Sequence, residues 1–106
     1  MTYRSLIEFN VQKGKGEEFE RVYIEGGMLD KAKIIPGFIS GDFMRKTIDP
    51  PVFMATVEWE AAEDYALWQA AYDTALPQDI RMRLGKMLLK PPEISILCVC
   101  LQKVSR

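Results

Sequence analysis

Residues Tyr3 to Gln12 alternate without a break: Ser5, Ile7, Phe9 and Val11 fall on one side, and Arg4, Leu6, Glu8 and Asn10 on the other. A period of two with one clearly apolar side predicts a half-buried β-strand. A sheet built from such strands needs a covering layer on one side, so this stretch constrains the rest of the chain. Three further segments read as strands. Phe38 to Lys46 and Val52 to Glu60 are joined by IDPP at 48–51, whose prolines cannot serve a central ladder. So short a link predicts an antiparallel hairpin. Glu93 to Gln102, rich in β-branched and small apolar residues, reads as the last strand.

The covering layer comes from the segments between. KGKG at 13–16 is a turn, and Glu17 and Glu18 follow it, as suits the positive end of a helix dipole. Phe19, Val22, Tyr23, Gly26 and Leu29 then recur at helical spacing. Gly26-Gly27 disfavours helix by about 1 kcal/mol per glycine relative to alanine. It predicts a kink, with a resumed turn through Lys33 and the glycines packed against the sheet; ligand access near a flexible joint is the competing reading. IIPGF at 34–38 ends that helix: Pro36 discourages helix at Ile35, and Gly37 permits a sharp reversal. Ala61 to Tyr72 is helical in composition. Leu76 to Lys90 is predicted helical again, with Pro77 in its first turn and Leu76, Ile80, Leu84, Met87 and Leu88 as its stripe, until Pro91-Pro92 stops it.

The order is strand, helix, strand, strand, helix, helix, strand. With right-handed crossovers this is an α+β chain. It predicts a ferredoxin-like four-stranded antiparallel sheet with helices on one face, the split βαβ arrangement, as one domain over residues 1–106. Leu6, Val52, Met54, Ile94 and Ile96 are expected on the uncovered face. A chain of 106 residues has a thin core, so stacking two such sheets face to face as a homodimer would bury that apolar surface.

Composition excludes several functions. A formal net charge of -1 lacks the basic footprint of a nucleic-acid binder. No apolar run approaches a membrane span. The opening MTYRSLIEFNVQK carries Glu8 and Asn10 within its apolar part and does not read as a signal peptide, so a cytoplasmic location is expected. The chain contains no histidine. That excludes a histidine-ligated haem, a His-rich zinc site and a Ser-His-Asp triad as these are usually built, and no metal or bound cofactor is expected. Cys98 and Cys100, the only cysteines, share a strand face, which is poor geometry for a mutual disulfide; both are expected to be small core residues.

The chemistry-bearing stretch is EWEAAEDYALWQAAY at 58–72. Tyr65, Trp68 and Tyr72 follow i, i+3, i+7 and share one helix face. Core packing demands the same spacing. Buried tyrosine hydroxyls and an indole N–H also need polar partners, however, and aromatic walls with a few placed hydroxyls suit a planar phenolic or polycyclic ligand. Trp59 is expected to pack under the helices. Glu8 and Glu58 alternate away from the helices, as partners for Arg4 or Arg45; a paired-carboxylate acid–base site is the competing reading. Arg81, Arg83, Lys86 and Lys90 spread round their helix as a solvated surface.

The Lys-Gly turn with its acidic helix, then IIPGF, then VEWEAAEDYALWQ, in that order, resembles the antibiotic biosynthesis monooxygenase family, part of the dimeric α/β-barrel group of ferredoxin-like folds. The resemblance covers about residues 3 to 76. It implies a homodimer whose two sheets form a barrel-like interface, with a pocket in each subunit between sheet and helices. It further implies a cofactor-independent monooxygenase acting on an aromatic, phenolic or quinol-like small molecule that itself supplies the electrons for O2. Trp68 would wall the pocket, Tyr72 and Tyr65 would hydrogen-bond a phenolic or keto oxygen, and Phe9 and Tyr23 would complete the lining. With no histidine, the proton acceptor would be Tyr72, Glu58, Asp42 or the substrate's own acidity. Two other functions fit the same fold: a cyclase or isomerase of a pathway intermediate, and a non-catalytic small-ligand-binding dimer. The haem-degrading branch is not implied. Its tryptophan matches Trp68, but its ligating histidine falls near Gln78 and its first-strand asparagine on Ile7 rather than Asn10.

Overall fold

The computed structural model describes residues 1–99, 102 and 104–106, and of Asp73 the backbone only. Four strands, β1 (Thr2–Asn10), β2 (Phe38–Arg45), β3 (Val52–Trp59) and β4 (Glu93–Val99), form one antiparallel sheet in the order β2-β3-β1-β4. The helices are α1 (Gly16–Glu25), the single turn α2 (Met28–Lys31) running into a 3-10 turn at Ala32–Ile34, α3 (Asp64–Ala75) and α4 (Gln78–Lys86). This is the expected ferredoxin-like order. The last two helices begin later than composition suggested, and α4 also ends earlier.

The central pair sets the faces. β1 and β3 run in register from Tyr3 opposite Trp59 to Asn10 opposite Val52. Ser5, Ile7 and Phe9 therefore lie beside Val57, Ala55 and Phe53 on the helix side, and Arg4, Leu6 and Glu8 beside Glu58, Thr56 and Met54 on the outer side. A run of stacked aromatic rings crosses the core under the helices. Tyr23 of α1 stacks on Phe43 at 4.0 Å and 9°, and Phe43 stacks on Phe53 at 5.3 Å and 8°. Trp59, almost fully buried, meets Phe38 edge-on at 6.0 Å, under the helices as expected.

β4 departs from expectation. It pairs with β1 so that Ile94 opposes Ile7 and Ile96 opposes Ser5. Both isoleucines therefore belong to the helix side, not the outer face, because a one-residue choice of register moves every side chain to the other face. Leu97 and Val99, opposite Arg4 and Thr2, take the outer positions. The register is set upstream, where Val11 bridges Leu88 and the Leu89 N–H donates to the Asn10 carbonyl at 2.7 Å. Cys98 is exposed and is not a free thiol, which corrects its reading as a core residue; Cys100 lies outside the described residues.

The glycines also find other partners. The chain does break at Gly26-Gly27 and resume, and Gly27 holds a left-handed φ of 65°. Gly26, however, packs against α4 rather than the sheet: a Cβ there would sit 3.1 Å from Ile80 Cγ2. Gly37 needs no left-handed backbone. It is required because a Cβ would overlap the Asp64 carboxylate at the start of α3.

On the outer face Leu6, Met44, Val52, Met54, Leu97 and Val99 are interspersed with ion pairs. Arg4 meets Glu58 at 3.3 Å, and the Thr2 hydroxyl donates to the same carboxylate at 2.7 Å. Glu8 pairs with Lys46 at 3.3 Å rather than with Arg45, whose guanidinium lies over the Phe53 ring. Among the described residues no helix is long and apolar enough to cross a membrane.

Candidate functional site

A cavity of about 290 Å³ opens between the helix side of the sheet and the helices. Side-chain size explains it. Ser5, Ala55 and Val57 on the sheet and Ala32 after α2 are small, and they leave space beside the rings that α3 projects. Tyr65, Trp68, Gln69 and Tyr72 form the α3 wall, with Trp68 and Tyr72 edge-to-face at 5.8 Å and 80°. Tyr23 from α1, Phe9 from β1, and Pro92 and Ile94 around the start of β4 also line it. No side chain lining the cavity carries a formal charge.

The polar groups are neutral and few. Burial pushes the Tyr23 phenol well above its ordinary range, and the neighbouring Tyr72 and Tyr65 push in the same direction. Tyr65 is raised for the same reasons, burial first and Tyr72 second. Both hydroxyls therefore keep their protons at neutral pH, and neither has a hydrogen-bond partner among the described residues. Trp59 Nε1–H donates to Ser5 Oγ at 3.0 Å beneath the cavity. At the far end of α3, the Arg81 guanidinium lies 5.7 Å from the centre of the Tyr72 ring and its Nε–H donates to the Leu76 carbonyl at 3.4 Å. Arg81 is thus drawn onto α3 rather than spread into solvent. Among the described residues no group of three or more Cys, Asp or Glu is placed to hold a metal ion.

The structure brings together Phe9, Tyr23, Tyr65, Trp68 and Tyr72, all five of which line the cavity. It separates the two carboxylate candidates from them. Glu58 is tied to Arg4 and Thr2 on the outer face, and Asp42, opposite Thr56, is on that face too. Both are therefore corrected as proton acceptors for this cavity. Strand alternation is the reason: on β3 the odd positions face the helices, and Glu58 and Thr56 do not. Of the three candidates only Tyr72 borders the space. Two polar lining residues escaped the sequence reading, Ser5 and Gln69, along with the small and aliphatic lining. The signal for Ser5 was a lone serine on an otherwise apolar strand face. Gln69 follows Trp68 and lies one helical turn after Tyr65.

No protein-family model matches the chain, and no curated protein sequence matches it. Solved structures of the same shape do exist. A dimeric ferredoxin-like protein from an uncultured marine organism superposes with a TM-score of 0.81 at 14% identity, covering 99% of this chain and 93% of that one. A monooxygenase from the gene ActVA-Orf6 of Streptomyces coelicolor, in complex with nanaomycin D, gives 0.74 at 18% identity over 98% and 92%. SnoaB, a cofactor-independent oxygenase from Streptomyces nogalater, gives 0.71 at 16% identity over 95% of each chain. At these identities the likeness is one of fold, and this chain has the four-stranded ferredoxin-like fold of structures named antibiotic biosynthesis monooxygenases.

Proposed function

We propose that this protein is a cofactor-independent monooxygenase acting on an aromatic, phenolic or quinol-like small molecule, and that it works as a homodimer joined through the outer sheet face. The observation that supports this reading is the cavity lining: aromatic walls, no formal charge, and the Tyr23 and Tyr65 hydroxyls, which have no hydrogen-bond partner among the described residues. Such a site favours a flat, uncharged ligand and offers O–H donors to an oxygen on which negative charge develops.

The chemistry needs little from the protein. A phenol that loses its proton becomes an electron-rich phenolate able to reduce O2 at a ring carbon. Overall, phenol and O2 give quinone and water: one oxygen atom stays on the ring, and the other leaves with the two hydrogens lost from the ring carbon and the hydroxyl. In this scheme Tyr23 and Tyr65 donate to the phenolate or keto oxygen, Trp68 and Phe9 hold the ring plane, and the enclosed space keeps water from the oxygen adduct. With Glu58 and Asp42 on the other face, the proton leaves through Tyr72 or through the substrate's own acidity.

The test is oxygen uptake with a panel of planar phenols and quinols, run with labelled O2. The reading requires one O2 consumed per substrate and one labelled oxygen atom in the product. Turnover without oxygen uptake would replace it with a cyclase or isomerase using the same cavity. Binding without turnover would leave a small-ligand-binding dimer.

A further inference from the structure

Ser5 is the one buried polar residue among the described residues, 2% exposed, opposite Val57 on β3 and Ile96 on β4 and bonded to Trp59. Its position is explained in part by Trp59. An indole N–H can only donate. At 1% exposure Trp59 would otherwise leave that donor unsatisfied, and Ser5 Oγ accepts it at 3.0 Å. That bond has a consequence for the serine. Its oxygen is held by an incoming donor, so its own proton must point elsewhere. No described residue accepts that proton, yet Ser5 lines the cavity. The serine sits on the sheet wall, while the other hydroxyls lining the space come from α1 and α3.

We propose that Ser5, its oxygen anchored by Trp59, is a ligand-binding donor on the sheet wall, and that the site selects planar ligands carrying a second oxygen away from the one held by the helix-borne tyrosines. This rests on the cavity being a ligand site, as proposed above, and deepens that reading by naming a substrate class: rings oxygenated on two separate edges. Trp59 does not touch the ligand. It is a positioning residue that occupies one lone pair of the Ser5 oxygen and leaves the O–H available to the cavity.

The difficulty is to separate this from a serine that merely satisfies Trp59. Ser5→Ala alone would orphan the buried indole N–H and destabilise the protein for that reason. Trp59→Phe removes the demand while keeping a ring against Phe38, and it leaves Trp68 as the only tryptophan, a fluorescent reporter on the cavity wall. Replacing both partners by apolar groups is close to neutral for stability, so Trp59→Phe and Trp59→Phe/Ser5→Ala can be compared directly, with thermal melts verifying that both fold. Each is titrated, by calorimetry and Trp68 fluorescence, with naphthol and with a naphthalenediol bearing its hydroxyls on opposite rings. The expected result is a preference for the diol of roughly five- to tenfold in wild type titrated alongside, the size of one net hydrogen bond, a smaller preference in Trp59→Phe, where the serine oxygen is no longer held, and a ratio near one once Ser5→Ala is added. A preference that survives Ser5→Ala, or naphthol and diol binding equally to both Trp59→Phe and wild type, overturns the role of Ser5 while the cavity reading stands. Failure of both compounds to bind wild type overturns the proposal and the cavity reading together; oxygen uptake tests the reaction separately from both.

Discussion

Gly37 faces the start of the helix that carries the cavity wall, and a single methyl group there tests how that helix is seated. Its φ is not left-handed, so alanine is acceptable to the backbone. The obstacle is the Asp64 carboxylate, which a Cβ would overlap. Asp64 Oδ2 accepts the Ala61 N–H at 2.9 Å, and the Glu60 N–H donates to the Gly37 carbonyl at 2.9 Å, so the two loops clasp each other. Gly37→Ala must turn the carboxylate away and lose a hydrogen bond to a charged acceptor, a loss of about 1.5–3 kcal/mol. Restricting the unfolded chain returns about 0.4–1 kcal/mol. The net destabilisation is then about 1–2 kcal/mol, a fall in Tm of roughly 5–10 °C for a domain of this size. The decisive arm is Asp64→Ala, which removes both the bond and the obstacle. On that background Gly37→Ala should cost nothing and stabilise slightly. Thermal or urea melts of the four proteins complete the cycle. If the two losses simply add, Gly37 acts through something other than Asp64 and the clasp is wrongly described.

Leu6→Lys puts a charge on the central strand of the outer face; light scattering at micromolar concentration should show a dimer for wild type and a monomer for the variant, and a monomeric wild type removes the stacked-sheet reading. Trp68→Ala should cost about 3 kcal/mol, the low end for a buried tryptophan, because one side of its ring borders empty space. The same change should abolish the rise in Tm that naphthol produces, and an unchanged ligand shift would place the ligand elsewhere. Tyr23 and Tyr65 hold their protons more tightly in the folded than in the unfolded chain. Their contribution to stability is therefore fully present below the ordinary tyrosine value of 10.0 and is lost as pH rises above it. Ultraviolet titration should find these phenols ionising late and together with unfolding, and a normal titration of all four tyrosines of the native protein would contradict their burial.

What the sequence discloses depends on whether a feature is local. The faces of β1 are legible because apolar and polar residues alternate there, and β3 inherits its faces by pairing with β1. The aromatic wall is legible because i, i+3, i+7 spacing leaves Tyr65, Trp68 and Tyr72 no choice but to share a face. In β4, EISILCV is apolar at so many positions that alternation cannot choose a side. The choice is made at Val11 and Leu88, a contact between distant segments, and Ile94 and Ile96 follow from it. Gly26 and Gly37 announce that something comes close without saying what; Ile80 and Asp64 are known only from the fold. Glu58 and Asp42 looked like proton acceptors while only their chemistry was in view, and the parity of their strand positions removed them. Ser5 went the opposite way. A serine on an apolar face is visible at once, but its meaning needs Trp59, 54 residues on. Because Ser5 pairs with Val57 and Tyr3 with Trp59, the indole reaches Ser5 along the diagonal of the ladder. Only in that register is the serine oxygen held and its proton left for the cavity, so the polar point on the sheet wall is a property of strand pairing and not of either residue alone.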